Sequence, residues 1–373
     1  MKQLVYSIVL LAALAIGAGA VKAQDIPIAV VGPITGSNAA LGEQMTRGAK
    51  MAVADINASG GVLGKKLDLI LADDACDPKQ AVAAANEVVG KKVVFVAGHY
   101  CSSSSIPASA VYNEAGILQM TPASTNPALT DDAAKKKWAN VFRVCGRDDQ
   151  QGEVAGKFLL EKYKGKKIAI VHDKSTYGKG LADETKKALN AGGVKETLYE
   201  AITQGDKDFS SLISRMKQAG VGVIYFGGYH PEAGLILRQA ADQGYKPQLM
   251  TGDSIATSEF WQISGPAGEG TLFTFPTDPR RSATAAHALE QFKAQGFNPE
   301  GFTLFSYAVV QAIADGVKKA GSTDPKAVAK ALESGEPFET ALGPVKLDAK
   351  GDVKDPTYDI NKWSNGQYAA IAQ

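Results

Sequence analysis

Short apolar runs alternate along the chain with stretches whose apolar residues recur every three to four positions. Residues 26–32 (IPIAVVG) are a β-branched run of the kind buried on both faces of a parallel sheet. A Gly/Thr/Ser loop follows, and then Met45, Ala49, Ala52, Val53 and Ile56 keep helical spacing until Ser59-Gly60-Gly61 stops them. The next strand is 67–72. Asp77-Pro78 then supplies an N-cap acceptor and a first-turn proline for a helix running to Gly90. Strands at 93–97 and 117–120 flank a helix at 106–115.

The pattern then starts afresh. Helices at 151–163, 180–190, 209–219 and 232–243 are interleaved with strands at 167–171, 197–201, 221–226, 248–250 and 271–275. Two successive sets of this kind predict an α/β protein of two similar lobes, each a doubly wound parallel sheet, joined around residues 140–150. After Pro276 come helices at 283–295, 304–320 and 325–334. The tail reads as antiparallel: Gly343-Pro344-Val345 and Lys350-Gly351-Asp352 frame a hairpin, and Asn365-Gly366 makes a second turn.

Composition sharpens this picture by exclusion. The 373 residues, 45% hydrophobic and 21% charged, suit two globular domains. A formal charge of +1 lacks the basic excess of a nucleic-acid binder. Lys2 followed by an apolar, Ala/Gly-rich run to Val21-Lys22-Ala23 reads as a signal peptide, residues 1–23, cut after Ala23. Its removal takes two lysines and leaves a charge of −1 on a soluble exported chain, with no Cys at position 24 for lipidation. Export bears on the three cysteines, whose spacing matches no zinc pattern. Cys76 and Cys101 each follow an apolar run; in an oxidising compartment they form a disulfide, or else remain two buried thiols. Cys145 is left over as a buried thiol.

Ligands of open parallel sheets bind beyond the carboxyl ends of the strands, so the strand-end loops carry the functional reading. In the first half, Gly98-His99-Tyr100-Cys101 leads into four serines, Ser102 to Ser105, and Thr121 to Pro127 forms a second polar turn at the same edge. Hydroxyls and free N–H groups at a helix start favour a carboxylate or phosphate. Second-half loops carry an acid and aromatics instead: His172-Asp173 with Tyr177, Gly227-Gly228-Tyr229, and Thr251-Gly252-Asp253. An acid beside tyrosines suits an ammonium group, so the two halves together would clamp a zwitterion. The competing role for Asp253 is to cap a helix beginning near Ser258. Nucleophile-elbow, P-loop, zincin and dinucleotide motifs are all missing from the sequence, and His230-Pro231-Glu232 reads as a helix start rather than a metal site. No catalytic residue, metal or cofactor is expected.

Several long runs resemble the periplasmic Leu/Ile/Val-binding proteins of bacterial ABC importers. They are Asp73-Asp74-Ala75-Cys76-Asp77-Pro78, Gly98-His99-Tyr100-Cys101-Ser102-Ser103-Ser104, Ile168 to Lys174, Gly227 to Glu232 and the Gly343-Pro344 turn. The resemblance covers essentially the whole mature chain. It implies a type I fold of two lobes joined by a three-stranded hinge, residues 24–145 plus 276–355 in one lobe and 146–275 plus 356–373 in the other. It implies a Cys76–Cys101 disulfide, a ligand carboxylate on Ser102, Thr125 and the Ala123 backbone, an ammonium on Asp253 and Tyr177, and a lining of Tyr100, Tyr229, Leu41 and Phe302. Asp253 stands where the family commonly has Glu, Leu41 where it often has Tyr or Trp, and Tyr100 where it has a smaller aliphatic residue. The implied ligand is a branched-chain amino acid or a small neutral one such as alanine, proline or γ-aminobutyrate. The implied partner is an inner-membrane ABC permease, served by a monomer whose lobes close on the ligand. The other classes open to such a chain are a sensing subunit of a membrane receptor and a secreted hydrolase.

Overall fold

The computed structural model describes residues 24–371; the leader read at 1–23 lies outside them. The first half runs β1 (Ile26–Gly32), α1 (Ala39–Ala58), β2 (Leu67–Asp73), α2 (Pro78–Gly90), β3 (Phe95–Gly98), α3 (Ser102–Ala115), β4 (Leu118–Thr121), α4 (Ala128–Lys135) and β5 (Val141–Arg143). Its five strands form a parallel sheet in the order β2-β1-β3-β4-β5. The second half runs α5 (Asp148–Lys162), β6 (Ile168–His172), α6 (Thr176–Ala191), β7 (Leu198–Ala201), α7 (Ser210–Gln218), β8 (Val223–Gly227), α8 (His230–Asp242), β9 (Gln248–Thr251), α9 (Ser258–Ser264) and β10 (Leu272–Pro276). The chain closes with α10 (Ala286–Ala294), α11 (Thr303–Ala320), α12 (Pro325–Leu332), β11 (Phe338–Thr340), β12 (Gly343–Val345), β13 (Tyr358–Ser364) and β14 (Gln367–Ala370). The second sheet has seven strands, β14-β13-β10-β9-β8-β6-β7, parallel except for β13 and β14.

The fold is the expected two-lobed α/β arrangement, and local chemistry explains its boundaries. Asp77 accepts from the N–H groups of Lys79 and Gln80 to cap α2, with Pro78 at the first helical position. Asn365 and Gly366 both take positive φ, 49° and 77°, the requirement of a two-residue turn joining β13 to β14. After β10 the chain returns to the first half, where α11 packs along α1. Gly48 permits that approach, since a Cβ there would stand 2.1 Å from the Thr303 carbonyl oxygen. Ser306 Oγ then donates to the Met45 carbonyl at 2.7 Å, and Tyr307 Oη to Asp55 at 2.7 Å.

The structure departs from the periodicity in five places, one being α6, which begins at Thr176 rather than at 180. α3 begins at Ser102 rather than at 106, so the serine run is its first turn. α4 and β5 escaped prediction: β5 has three residues and ends on Arg143, a charge inside a strand that reads as polar until its partner is seen. The first tail hairpin joins β11 to β12 around Ala341-Leu342, not 343–345 to 350–352. Gly343 (φ 95°) and a Thr340 Oγ1 bond to its carbonyl tighten that turn, while Lys350-Gly351 closes a separate Leu347–Val353 bridge.

Cys76 and Cys101 form a disulfide with Cα atoms 5.5 Å apart, and Cys145 is free and buried. Ala75 and Cys76 both sit at positive φ, 47° and 56°. Asp73 and Asp74 hold them there by accepting from the N–H of Ala75 (3.0 Å) and of Cys76 (2.8 Å). Arg143 is fully buried; its Nε lies 2.7 Å from Asp352, and it also donates to the carbonyls of Ser124 and Asn126.

Two outcomes follow from these covalent and ionic ties. Replacing Cys76 and Cys101 together by serine opens a loop of sequence separation 25 and lowers stability by about 3 kcal/mol on the chain-entropy model; chemical denaturation with and without reductant measures it. Asp352→Ala leaves Arg143 buried without its carboxylate and costs about 3–5 kcal/mol, read as a lower urea midpoint, whereas an unchanged midpoint would mean that the pair contributes nothing net.

Candidate functional site

The carboxyl ends of β3 and β4 build the first wall. His99, fully buried just past β3, places Nδ1 2.5 Å from Asp74 and Nε2 2.8 Å from Tyr112 Oη. Its carbonyl collects hydroxyls from Thr121 (2.5 Å), Ser124 (3.2 Å) and Ser105 (3.3 Å). Ser105 and Ser124 also bond each other at 2.6 Å. Two of the serines are therefore structural: Ser105 in this network, and Ser103, whose Oγ reaches the Cys76 carbonyl at 3.4 Å. Ser102, buried at the first position of α3, accepts from the Asn126 N–H at 3.2 Å. Cys101 gives the helix no side-chain cap, which leaves its positive end open to an anion.

Beside it lies the turn after β4. Thr125 Oγ1 is buried and has no hydrogen-bond partner among the described residues. The Ala123 N–H already donates to Thr121 Oγ1 at 3.2 Å. What Ala123 has left to offer is its carbonyl, an acceptor.

The second wall comes from α6, α8 and the turn after β9. Ser175 caps α6 through the Gly178 N–H, and Asp173 holds Ser175 by its N–H (2.9 Å) and its Oγ (2.6 Å). That fixes Tyr177, whose Oη donates to Asp253 Oδ1 at 2.9 Å, while Gln151 Nε2 donates to Oδ2 at 2.7 Å. Asp253 is 3% exposed. Burial pushes its carboxyl up to about 6, against the opposing pull of the Gln151 and Tyr177 donors. It does not cap α9, whose N-cap is Thr257. Tyr229 stacks obliquely on Tyr177 with ring centroids 5.3 Å apart.

Aromatic groups fill the space between the walls. Tyr100 meets Phe302 edge-on at 5.6 Å, and Phe302 packs against Phe275 and Phe305 at 5.1 Å each. Burial raises the Tyr100 hydroxyl pKa, and the Asp253 charge raises it further. Leu41 is buried in the same apolar cluster.

Four contributors were not found by reading strand ends, nor was the partner of a fifth, Asn126, which lies in the turn after β4. Gln151 and Asp148 stand on the first turns of α5, immediately after the join between the halves. Gln44 on α1 donates to the Ala256 carbonyl at 3.0 Å and accepts from the Phe302 N–H at 3.0 Å. Glu300 accepts from the Ser258 N–H (2.9 Å) and Thr257 Oγ1 (3.1 Å), and Asn126 Nδ2 donates to the Thr176 carbonyl at 2.8 Å. The polar run Gly146 to Gln151 was the available signal for the first two. His230 starts α8 and pairs with Glu259 at 2.9 Å. Among the described residues no cluster is placed to hold a metal, and no helix is long and apolar enough to cross a membrane.

Two lobes with opposed strand-end loops, hydroxyls and an uncapped helix start on one side and an acid with tyrosines on the other, have the architecture of a two-lobed solute-binding protein. A family model described as "Periplasmic binding protein" matches residues 25–367, and the chain belongs to that family. A Brucella melitensis protein called Leu/Ile/Val-binding protein homolog 1 is 50% identical across 100% of both chains. A Pseudomonas aeruginosa "amino acid binding protein" is 48% identical over 92% of each. Among solved structures, a branched-chain amino-acid transporter substrate-binding protein from Streptococcus pneumoniae in complex with isoleucine superposes with a TM-score of 0.84 at 27% identity, covering 93% of this chain and 98% of that one. A leucine-binding protein from Thermotoga maritima gives 0.86 at 28%, with the same coverage.

Proposed function

We propose that this chain is an exported receptor that closes its two lobes on a free aliphatic amino acid, branched-chain or small and neutral, and hands it to an ABC permease without chemical change. The observation that carries this reading is the buried Asp253 carboxylate, held by Tyr177 and Gln151 opposite the open end of α3. Ser102 and Thr125 take the ligand carboxylate, Asp253 and the Ala123 carbonyl take the ammonium, and Tyr100, Tyr229, Leu41 and Phe302 surround the side chain. Names of close relatives support the ligand class: the Brucella melitensis homologue is called Leu/Ile/Val-binding, and a Desulfitobacterium hafniense substrate-binding protein of 27% identity is complexed with leucine. Closure follows from contact of one ligand with both lobes, which favours the state in which both contacts are made. The lobes are 24–145 with 276–355 and 146–275 with 356–373. The protein works as a monomer in the periplasm after loss of residues 1–23.

A thermal-shift screen over the twenty amino acids and γ-aminobutyrate identifies the ligand; one present at 100 times its Kd adds about 2.7 kcal/mol. Asp253→Ala strands the ammonium in a buried site and costs about 2–5 kcal/mol of binding, roughly 30-fold to several thousand-fold in Kd. Asp253→Glu keeps measurable binding with a shifted preference. Unchanged affinity in Asp253→Ala would leave the clamp without its anion, and turnover of the ligand detected by mass analysis would sink the receptor reading.

A further inference from the structure

Asp148 is the second carboxylate at the clamp, and it is fully buried. Its N–H donates to the Thr125 carbonyl at 2.9 Å, and a Cβ on Gly180 of α6 would stand 4.0 Å from its Oδ2. Neither carboxylate oxygen makes a hydrogen bond of normal geometry among the described residues, although the Thr125 hydroxyl lies close enough to favour the carboxylate; Gln151 Oε1 is likewise buried and unpartnered. Asp253, by contrast, has donors on both oxygens.

Among the described residues Asp148 has no cation of its own: on α6, packed against its helix, Lys179 is paired with Asp183, Lys186 with Glu196 and Lys187 with Glu184. Arg143 of β5 is close enough to favour its charge, but that guanidinium is committed to Asp352 and to the carbonyls of Ser124 and Asn126. Arg147, next to it in sequence, is shared among Asp131, Asp149 and Asp352. The other titratable groups that sense Asp148 are Asp149 on its own helix, Asp253 after β9, Cys145, Tyr177 of α6, Tyr225 of β8, and Tyr229 and Tyr358, at the starts of α8 and β13; every one is neutral or negative. β10, which also packs on α5, has no titratable side chain. An amino acid brings one ammonium and adds a carboxylate of its own. Two buried acids facing one ammonium cannot both stay charged, and the one with donors and the ammonium keeps its charge.

We infer that closure of the clamp on its ligand takes up a proton, and that the proton resides on Asp148. This rests on the amino-acid-receptor reading. Burial, and then the Asp253 charge, push the Asp148 carboxyl well above the usual carboxylate range, against the opposing pull of the Thr125 hydroxyl and of Arg143. Separation of the halves withdraws the Thr125-Asn126 turn from α6, to which Asn126 is bonded, and returns Asp148 to water and to an ordinary carboxylate. The closed state then binds more protons than the open one, so affinity falls as pH rises between the open-state and closed-state values.

The test is titration calorimetry of the mature chain near neutral pH with L-leucine, and with γ-aminobutyrate if leucine gives no heat, in phosphate and in Tris, whose ionisation enthalpies differ. The expected result is a buffer-dependent enthalpy equivalent to about one proton taken up per ligand, with Kd rising by up to about tenfold per pH unit. Binding with the same heat in both buffers overturns this inference and leaves the receptor reading standing; absence of binding by any amino acid overturns both. Asp148→Asn abolishes the buffer dependence, and uptake that persists in that variant removes the assignment to Asp148. Should the variant fail to fold, infrared difference spectra of the wild type decide: ligand addition brings up the carbonyl band of a protonated carboxylic acid, and its absence overturns the inference.

Discussion

A carboxylate with almost no access to water, lying between two lobes, is the constraint around which the second half is arranged. Burying the Asp253 charge is tolerable only if its oxygens are met by donors in good geometry. Those donors come from Tyr177 and Gln151, on two helices that leave different parts of the second lobe. Each must arrive at the same point, which restricts how α5 and α6 pack on the sheet. Gly178 and Gly227 meet that restriction: a Cβ on Gly178 would stand 2.5 Å from the Gly227 carbonyl oxygen, so the first turn of α6 lies directly on the end of β8. Asp173 and Ser175 then stop the turn from fraying.

The first lobe presents the complementary groups, buried hydroxyls and an uncapped helix start. Its rigidity comes from below. Asp74, His99 and Tyr112 form a buried chain of hydrogen bonds beneath the loop, and the Cys76–Cys101 disulfide pins the same loop from the side. Three hydroxyls converge on the His99 carbonyl, tying the turn after β4 to the turn after β3. A site held this way loses little further order when a ligand arrives, which favours affinity.

How much of this was legible in the sequence depends on the range of the interaction concerned. The apolar strands and their helices were readable because burial on both faces leaves a local signature. The caps at Asp77 and the turn at Asn365-Gly366 were readable for the same reason. β5 was not, since Arg143 makes sense only beside Asp352, more than two hundred positions away. Strand-end logic pointed to Asp253, Tyr177, Tyr229 and the serine run, but the division of labour among the serines needed the partner of each hydroxyl. Gln44 and Glu300 were silent because each acts across the interface of the lobes, where no periodicity is recorded, and the turn holding Asn126 was read without its partner on α6. The particular assignments to Ser102, Ala123 and Thr125 came from resemblance, and the bond from the Ala123 amide to Thr121 shows where a carried-over contact has to be checked against local geometry.

The buried ion pair also places the hinge and the site in mechanical contact. Arg143 stands at the end of β5, just before the first passage between the lobes, and Asp352 lies just before the last. Arg147, within that first passage, bonds the same aspartate at 2.8 Å, and its carbonyl accepts from Tyr358 Oη at the start of β13. From this anchor Arg143 reaches the carbonyls of Ser124 and Asn126, and Asn126 reaches across to the Thr176 carbonyl at the start of α6. The turn that faces the ligand is therefore fastened at one end to the passage segments and at the other to the opposing lobe. In the closing motion proposed above, bonds made at this turn would bias the approach of the lobes with no intermediary element.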